Sequence, residues 1–289
     1  MLSLLFWGRV LRKHLLKSIF FVGIFLSLKT RAACDTDKLE ADVKAGTATC
    51  ASYEVDRTII IKNTVKFDGK GARITGVGSF DQCDQFPTNK AVFFIYSNGS
   101  ILSNFTIVQS PEGIHVAEGF KNQIVNVRFQ KVCEDAITNG NNKNNKSAKH
   151  TIIKNCSFEN AEDKAIQSNG GSMHIIGNKF IDVARPVSTC GHKADPGYHD
   201  PGACPIRSDL YVEKNKMIRS TTYAVQASGK YHSVVYSRKN TFEKFGSLIF
   251  RTENNSQLFS KDENCSKIKG DVKCNSSKVD TAFTKFLSE

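Results

Sequence analysis

The sequence predicts an all-β chain wound as a single-domain right-handed parallel β-helix of about seven to eight coils, with a short helix capping its N-terminal end. Three observations predict it. First, a β-rich line centred on asparagine recurs at Asn104, Asn126, Asn155, Asn178, Asn215 and Asn240, each followed two or three places on by an apolar residue. Second, the spacings are 22, 29, 23, 37 and 25; the shorter ones suit one β-helix coil, and each unit is too short to be a domain. Third, the units carry no helical stripe. Short β-rich runs alternate with Gly, Asn and Ser corners. A leucine-rich repeat is disfavoured because no Leu-x-x-Leu-x-Leu line recurs.

In chain order, Arg9, Arg12, Lys13 and Lys17 precede an apolar run from Ser18 to Leu28, and Ala32-Ala33 offers small residues for cleavage. The run is short for a bilayer span and right for a signal segment. Residues 1–33 are therefore expected to be a signal peptide, with a membrane anchor as the alternative, and 34–289 the mature secreted domain. Asp37 to Val43 is the expected cap helix, and Arg57–Lys62 and Val65–Phe67 the expected early strands. The two long spacings contain loop-like inserts, 141–149 and 193–203. The recurring asparagines are expected to form one amide ladder, and the 20 phenylalanines to stack inside the coil. Residues 253–289 read as a polar tail that wraps back on the coil. All nine cysteines lie at or beyond Cys34, which suits a disulfide-forming compartment with at least one cysteine unpaired. Seven Asn-x-Ser/Thr sequons agree with secretion.

Net charge is +12 with a pI near 9.2. A basic surface favours a polyanion, and secretion turns that toward acidic polysaccharide rather than nucleic acid. No membrane association is expected after signal removal, and a monomer is expected.

Eight residues beyond the first three repeat asparagines stand Glu112, Glu134 and Asp163; nine beyond, Asp135 and Lys164 stand on neighbouring coils. With strands ~4.8 Å apart, the acids would form a column. Each like-charge pair at ~5 Å costs on the order of 3 kcal/mol at an effective dielectric of 20. A cation, raised pKa values or splay into water must compensate, and oxygen ligands alone suit Ca²⁺. A solvated acidic face is the plain alternative, as is a simple Lys164 salt bridge. His192, His199 and Cys204 have no standard zinc spacing.

Gln109-Ser-Pro-Glu112-Gly-Ile-His115, Val132-Cys-Glu134-Asp135-Ala-Ile-Thr138, Asn160-Ala-Glu-Asp163-Lys164-Ala-Ile-Gln167-Ser-Asn169-Gly-Gly171 and Ser188-Thr-Cys190-Gly191 resemble the successive motifs of polysaccharide lyase family 3, the pectate lyases. The resemblance covers roughly Cys34 to Phe250. It implies a compact parallel β-helix that cleaves polygalacturonate with Ca²⁺ by β-elimination. It places Glu112, Glu134 and Asp135 as calcium ligands with Asp163 beside them, and Lys164 as catalytic base. Where the family usually has an arginine, this chain has Ser188; Arg185 and Arg207 are the arginines that could assist the reaction and hold substrate. Where the family usually has a histidine, this chain has Ser168. These departures leave open a second reading, a pectin-binding or host-interaction relative that has lost the chemistry. A glycoside hydrolase of the same fold is a third, disfavoured because its Gly-His-Gly and Arg-Ile-Lys blocks are absent.

Overall fold

The computed structural model describes residues 32–76, 91–140, 147–189, 206–228, 232–245 and 248–289. The expected leader up to residue 31, most of both inserts, and His192, His199, Cys190 and Cys204 lie outside them. No helix among the described residues is long and apolar enough to cross a membrane.

Every strand pairing among the described residues is parallel, and they wind as a β-helix. One face is a nine-stranded sheet running from Ile59–Ile61 through Ala91–Ile95, Glu112–Val116, Asp135–Asn139, Lys164–Ser168, Arg185–Thr189, Tyr223–Ala227 and Leu248–Thr252 to a stub at Ile268–Lys269. The other two faces form a 16-stranded sheet, joined where the ten-residue strands Lys66–Thr75 and Ile101–Ser110 run across both. The coil therefore continues past Glu253: Gln257–Lys261 pairs in register with Val234–Arg238, and Val272–Lys273 pairs beyond it.

The interior explains the register. Ile114, Ile137, Ile166, Val187, Val225 and Phe250 stack on consecutive rungs and are fully buried. On another face Phe129, Phe158 and Phe180 stack with ring centroids 5.0 and 4.8 Å apart, nearly parallel, which matches the strand spacing. A slip by one residue would turn these rows out of the core.

Helix α1 (Thr36–Ala45) closes the N-terminal end. Asp35 caps it by accepting from the Lys38 N–H, Gly46 ends it at a left-handed φ of 86°, and Leu39 and Val43 face the core. Helix α2 (Lys278–Ser288) packs back on the larger sheet, seating Val279 and Phe283 against Val234 and Phe259, with Tyr211 and Tyr236 alongside. Cys34 pairs with Cys50 and Cys265 with Cys274, so the tail's disulfide is internal to the tail. Cys156 is the free thiol among the described residues; burial pushes its pKa up to about 12.

The asparagines form two rows rather than one. Asn104, Asn126 and Asn155 occupy left-handed corners with φ of 60°, 54° and 54°, and their side chains are not fully buried. Asn178, Asn215 and Asn240 sit one residue later in register, in line with Cys156, and are buried. The Oδ1 of Asn215 accepts from the Asn178 backbone N–H at 2.9 Å, and the Oδ1 of Asn240 accepts likewise from Asn215 at 2.8 Å. Glu263 ends this ladder, accepting from the Asn240 backbone at 3.1 Å. The 23-residue step from Asn155 to Asn178 is an ordinary coil length and hid the shift, because the corner residue from there on is Gly177, Lys214 or Lys239.

Asn215→Ala leaves several buried groups unmatched and should cost on the order of 3–5 kcal/mol in denaturant unfolding. Asn126→Gly, at a tolerated left-handed corner, should change stability by less than ~1 kcal/mol; equal effects would refute the division into two rows. Burial pushes the Glu263 carboxyl up to about 7, against its bonds from Asn240 and Ser237. The folded state therefore keeps a proton that the unfolded chain loses near the ordinary glutamate value of 4.5. This stabilisation is full below that value and is lost as pH rises through about 7. Glu263→Gln keeps an acceptor without the charge, so its melting temperature should exceed wild type at about pH 8 and converge with it at about pH 4. A constant difference across that range would contradict the assignment.

Candidate active site

The candidate site lies on the outward side of the nine-stranded sheet. Asp135 pairs directly with Lys164, and Lys164 with Arg185. Ala91 pairs with Glu112, and Ile114 with Ile137, which places Glu112 in the row of Asp135. By the same register Tyr223 follows Arg185. The row therefore reads Glu112, Asp135, Lys164, Arg185, Tyr223. Glu134 and Asp163 share the preceding row: the Lys164 N–H bonds the Glu134 carbonyl and the Arg185 N–H the Asp163 carbonyl, both at 3.1 Å.

The single acid column of Glu112, Glu134 and Asp163 is thus corrected to two adjacent rows. Ser110 is still in register with Val132, but between that pair and the Ile114–Ile137 pair the later coil holds one residue more. The extra residue, at Cys133-Glu134, moves Glu134 out of line with Glu112. Counting from the asparagine cannot detect a bulge that forms after the corner.

Lys164 is nearly buried. Its Nζ donates to Asp163 Oδ2 at 2.5 Å and to Asp135 Oδ1 at 3.4 Å. Arg185 Nη1 reaches the other Asp163 oxygen at 2.7 Å, so Asp163 holds both cations. Burial alone would lower the Lys164 pKa, but Asp135 and Asp163 outweigh it and raise it above the ordinary lysine value. Burial raises the Asp135 carboxyl, aided by the charges of Asp163 and Glu112 and opposed by Lys164. Burial, then Asp135 and Glu112, push Glu134 up to about 7. The cluster thus holds two carboxyls, Glu134 and Asp135, whose ionisation is disfavoured, beside an amine that Asp135 and Asp163 keep protonated.

His115 belongs to this cluster, although its spacing reads more naturally as a core or turn position. It stacks on Phe94 at 4.2 Å, its Nε2 lies 2.9 Å from the Gly140 carbonyl, and its Nδ1 is 3.0 Å from Glu112 Oε1. Donation of Nε2–H to the carbonyl leaves Nδ1 facing the carboxylate, so that contact needs a second proton, on the imidazole or on Glu112. Burial opposes the imidazolium, but the Glu112 charge outweighs it and the His115 pKa is raised.

Arg207 does not join the cluster. It precedes the strand Ser208–Glu213 on the other sheet and bonds Asp209 at 2.8 Å. Ser188 is fully buried, its Oγ 3.1 Å from Gln226 Oε1 and 3.5 Å from the Tyr223 hydroxyl. Ser168 bonds Ser208 Oγ at 2.9 Å. Neither stands in for a cation. Tyr223 and Gln226 were missed because a tyrosine and a glutamine in an apolar strand carry no motif; only the rung register reveals them.

Among the described residues no three acidic, histidine or cysteine side chains form a ready-made metal cage. The donor chemistry nevertheless suits a hard cation. Glu112, Glu134, Asp135 and Asp163 supply oxygen alone, and the elevated Glu134 and Asp135 pKa values mark a surplus of negative charge that a divalent ion would relieve.

A sequence model of the family described as Pectate lyase matches residues 44–201, a span that includes every member of the cluster. The chain is 33% identical over 145 residues to probable pectate lyase F of Aspergillus terreus, covering 49% of this chain and 59% of that protein. It is 36% identical over 104 residues to probable pectate lyase F of Aspergillus fumigatus, 35% of this chain and 42% of that one. It is 35% identical over 130 residues to probable pectate lyase E of Aspergillus oryzae, 44% and 46% respectively. These matches span about half the length of the relatives. A family match over more than half the sequence, on a parallel β-helix with acids and an amine juxtaposed on one face, establishes that the chain belongs to the pectate lyase family.

Proposed function

We propose that the protein is a secreted pectate lyase that cleaves polygalacturonate by calcium-dependent β-elimination. The observation that carries this reading is Lys164 held between Asp135 and Asp163, with Arg185 on the next rung sharing Asp163.

In β-elimination the C5 proton of a galacturonate unit leaves, its C–H electron pair forms the C4–C5 double bond, and the C4–O bond to the neighbouring sugar breaks. Lys164 Nζ is the base assigned to the C5 proton. Asp163 orients it and fixes Arg185 one rung, ~4.8 Å, away, where the guanidinium can bind the uronate carboxylate and stabilise charge developing there. Bound through Glu112, Glu134 and Asp135, with Asp163 at hand, calcium would neutralise the uronate carboxylate and offset the acids that keep Lys164 protonated. A lysine with a raised pKa is a free base only on the alkaline side. The rate should therefore climb as pH rises from neutral.

The buried Ser188 motivates the second reading, a relative that binds pectin without cleaving it. Ultraviolet absorbance of unsaturated products from polygalacturonate at alkaline pH decides between them. The lyase reading expects product with calcium and none with chelator; no product in either condition favours the binding protein. Lys164→Ala should lower kcat/KM by roughly 10²–10⁴-fold while the protein remains folded, and a wild-type rate would remove Lys164 from its role. Glu134→Ala should raise the calcium concentration needed for half-maximal rate, and an unchanged titration would remove Glu134 as a ligand.

A further inference from the structure

Helix α2 covers a charged and aromatic network on the larger sheet, a different sheet from the one that carries the catalytic row. The outward row beneath the helix reads His174, Tyr211, Tyr236 and Phe259 on consecutive rungs. The two tyrosines stack at 5.4 Å, and Tyr236 stacks on Phe259 at 5.6 Å. From the helix, Phe283 and Phe286 sit edge-on to the His174 ring at 5.7 and 5.6 Å, and Phe286 lies 4.4 Å from the Tyr211 ring. His174 is 4% exposed under this cover. Its Nε2 is buried without a hydrogen-bond partner, 3.7 Å from Glu213 Oε1.

A second proton on that ring would be poorly compensated. Glu213 is already engaged: its Oε2 accepts from Arg238 Nε at 2.6 Å, and Lys214 Nζ reaches Oε1 at 3.9 Å. Burial, with the charges of Arg238, Lys214 and Lys154, outweighs Glu213 and holds the His174 pKa below its ordinary value of 6.5. Phe283 and Phe286 are the covering side chains, so the ring regains water when the helix lifts. Docking is therefore at full strength above the ordinary value and weakens as pH falls below it. The charges on the helix behave differently. Lys261 and Arg238 pair with Asp280 and hold its carboxyl below the usual 3.8. His150, at the helix end, stacks on Phe286 at 4.7 Å. A proton there is met by Glu289 at 3.1 Å, although burial, with Lys121 and Lys149, lowers the His150 pKa too. The helix has 11 residues, short of the ~12–15 at which an isolated helix is marginal in water, and the Cys265–Cys274 disulfide closes before it.

We propose that helix α2 is an acid-released clamp: it stays docked while His174 is neutral and lifts when His174 takes a proton, uncovering the aromatic row of Tyr211, Tyr236 and Phe259. Lifting costs the packing of Val279, Phe283 and Phe286 and returns the imidazolium to water. The coil beneath stays intact, because its rungs are held by their own ladder and core. The clamp is a property of the larger sheet and stands or falls independently of the lyase reading.

Hydrogen–deuterium exchange of the full chain, read at the peptide covering helix α2 and corrected for the intrinsic pH dependence of exchange, tests it. Protection of the helix amides should fall by roughly threefold or more between about pH 8 and about pH 5.5, while the strands of the nine-stranded sheet stay protected. Binding of an apolar fluorescent dye should rise over the same range. His174→Phe and His174→Gln cannot take the proton, so each should hold helix protection constant between the two pH values, with strand protection unchanged. His150→Gln removes the pair to Glu289; it should lower protection at both pH values and keep the step. Phe283→Ala should leave the helix unprotected at both. Equal protection of the wild-type helix at the two pH values, a step that survives both His174 replacements, or a step that vanishes in His150→Gln would overturn the proposal. A helix left unprotected at about pH 8 by both His174 replacements would overturn it too, because the packing of the ring rather than its proton would then hold the helix down.

Discussion

The parallel ladder is the constraint on which the site depends. Asp135, Lys164 and Arg185 are 29 and 21 residues apart in sequence, yet they are adjacent because the rungs beneath them lock Ile137, Ile166 and Val187 into one buried row. The core therefore sets the outward chemistry. A mutation that shifted the inner row by one residue would carry Lys164 to the other side of the sheet and dismantle the cluster without touching any of its members.

This arrangement works against stability locally. An amine and several carboxylates are largely removed from water, and burial, then the neighbouring negative charges, raises the pKa values of Glu134 and Asp135. Removing one partner from such a set leaves an uncompensated charge, so the cluster is held by its surroundings rather than the reverse. The phenylalanine stack, the buried asparagine ladder and the two helices supply that support on other faces. The division suits a catalytic surface. The rigid coil fixes the side chains, and electrostatic tension remains where a substrate or an ion can relieve it.

Much of this was readable from spacing. The repeat of asparagines marked the coils, and counting nine residues onward placed Asp135 opposite Lys164. Two features defeated the count. The extra residue at Cys133-Glu134 separates Glu112 from Glu134, and the ladder changes register between Asn155 and Asn178, where Gly177 takes over the left-handed corner. Both are local backbone events that leave the repeat length almost unchanged. Arg207 was a candidate by motif order alone, and its partner Asp209 lies two residues away on the opposite sheet. Tyr223 and Gln226 have no motif; they acquire meaning only when rungs are aligned in space.

Anomalous diffraction from crystals of the protein grown with calcium and a galacturonate oligomer would test the central claim most directly. The account predicts a calcium peak bound by oxygens of Glu134 and Asp135, with a uronate carboxylate on the ion and Lys164 Nζ beside C5 of that sugar. A sugar bound to the sheet with no ion at these carboxylates, or an ion held elsewhere with Lys164 turned away from the sugar, would contradict it.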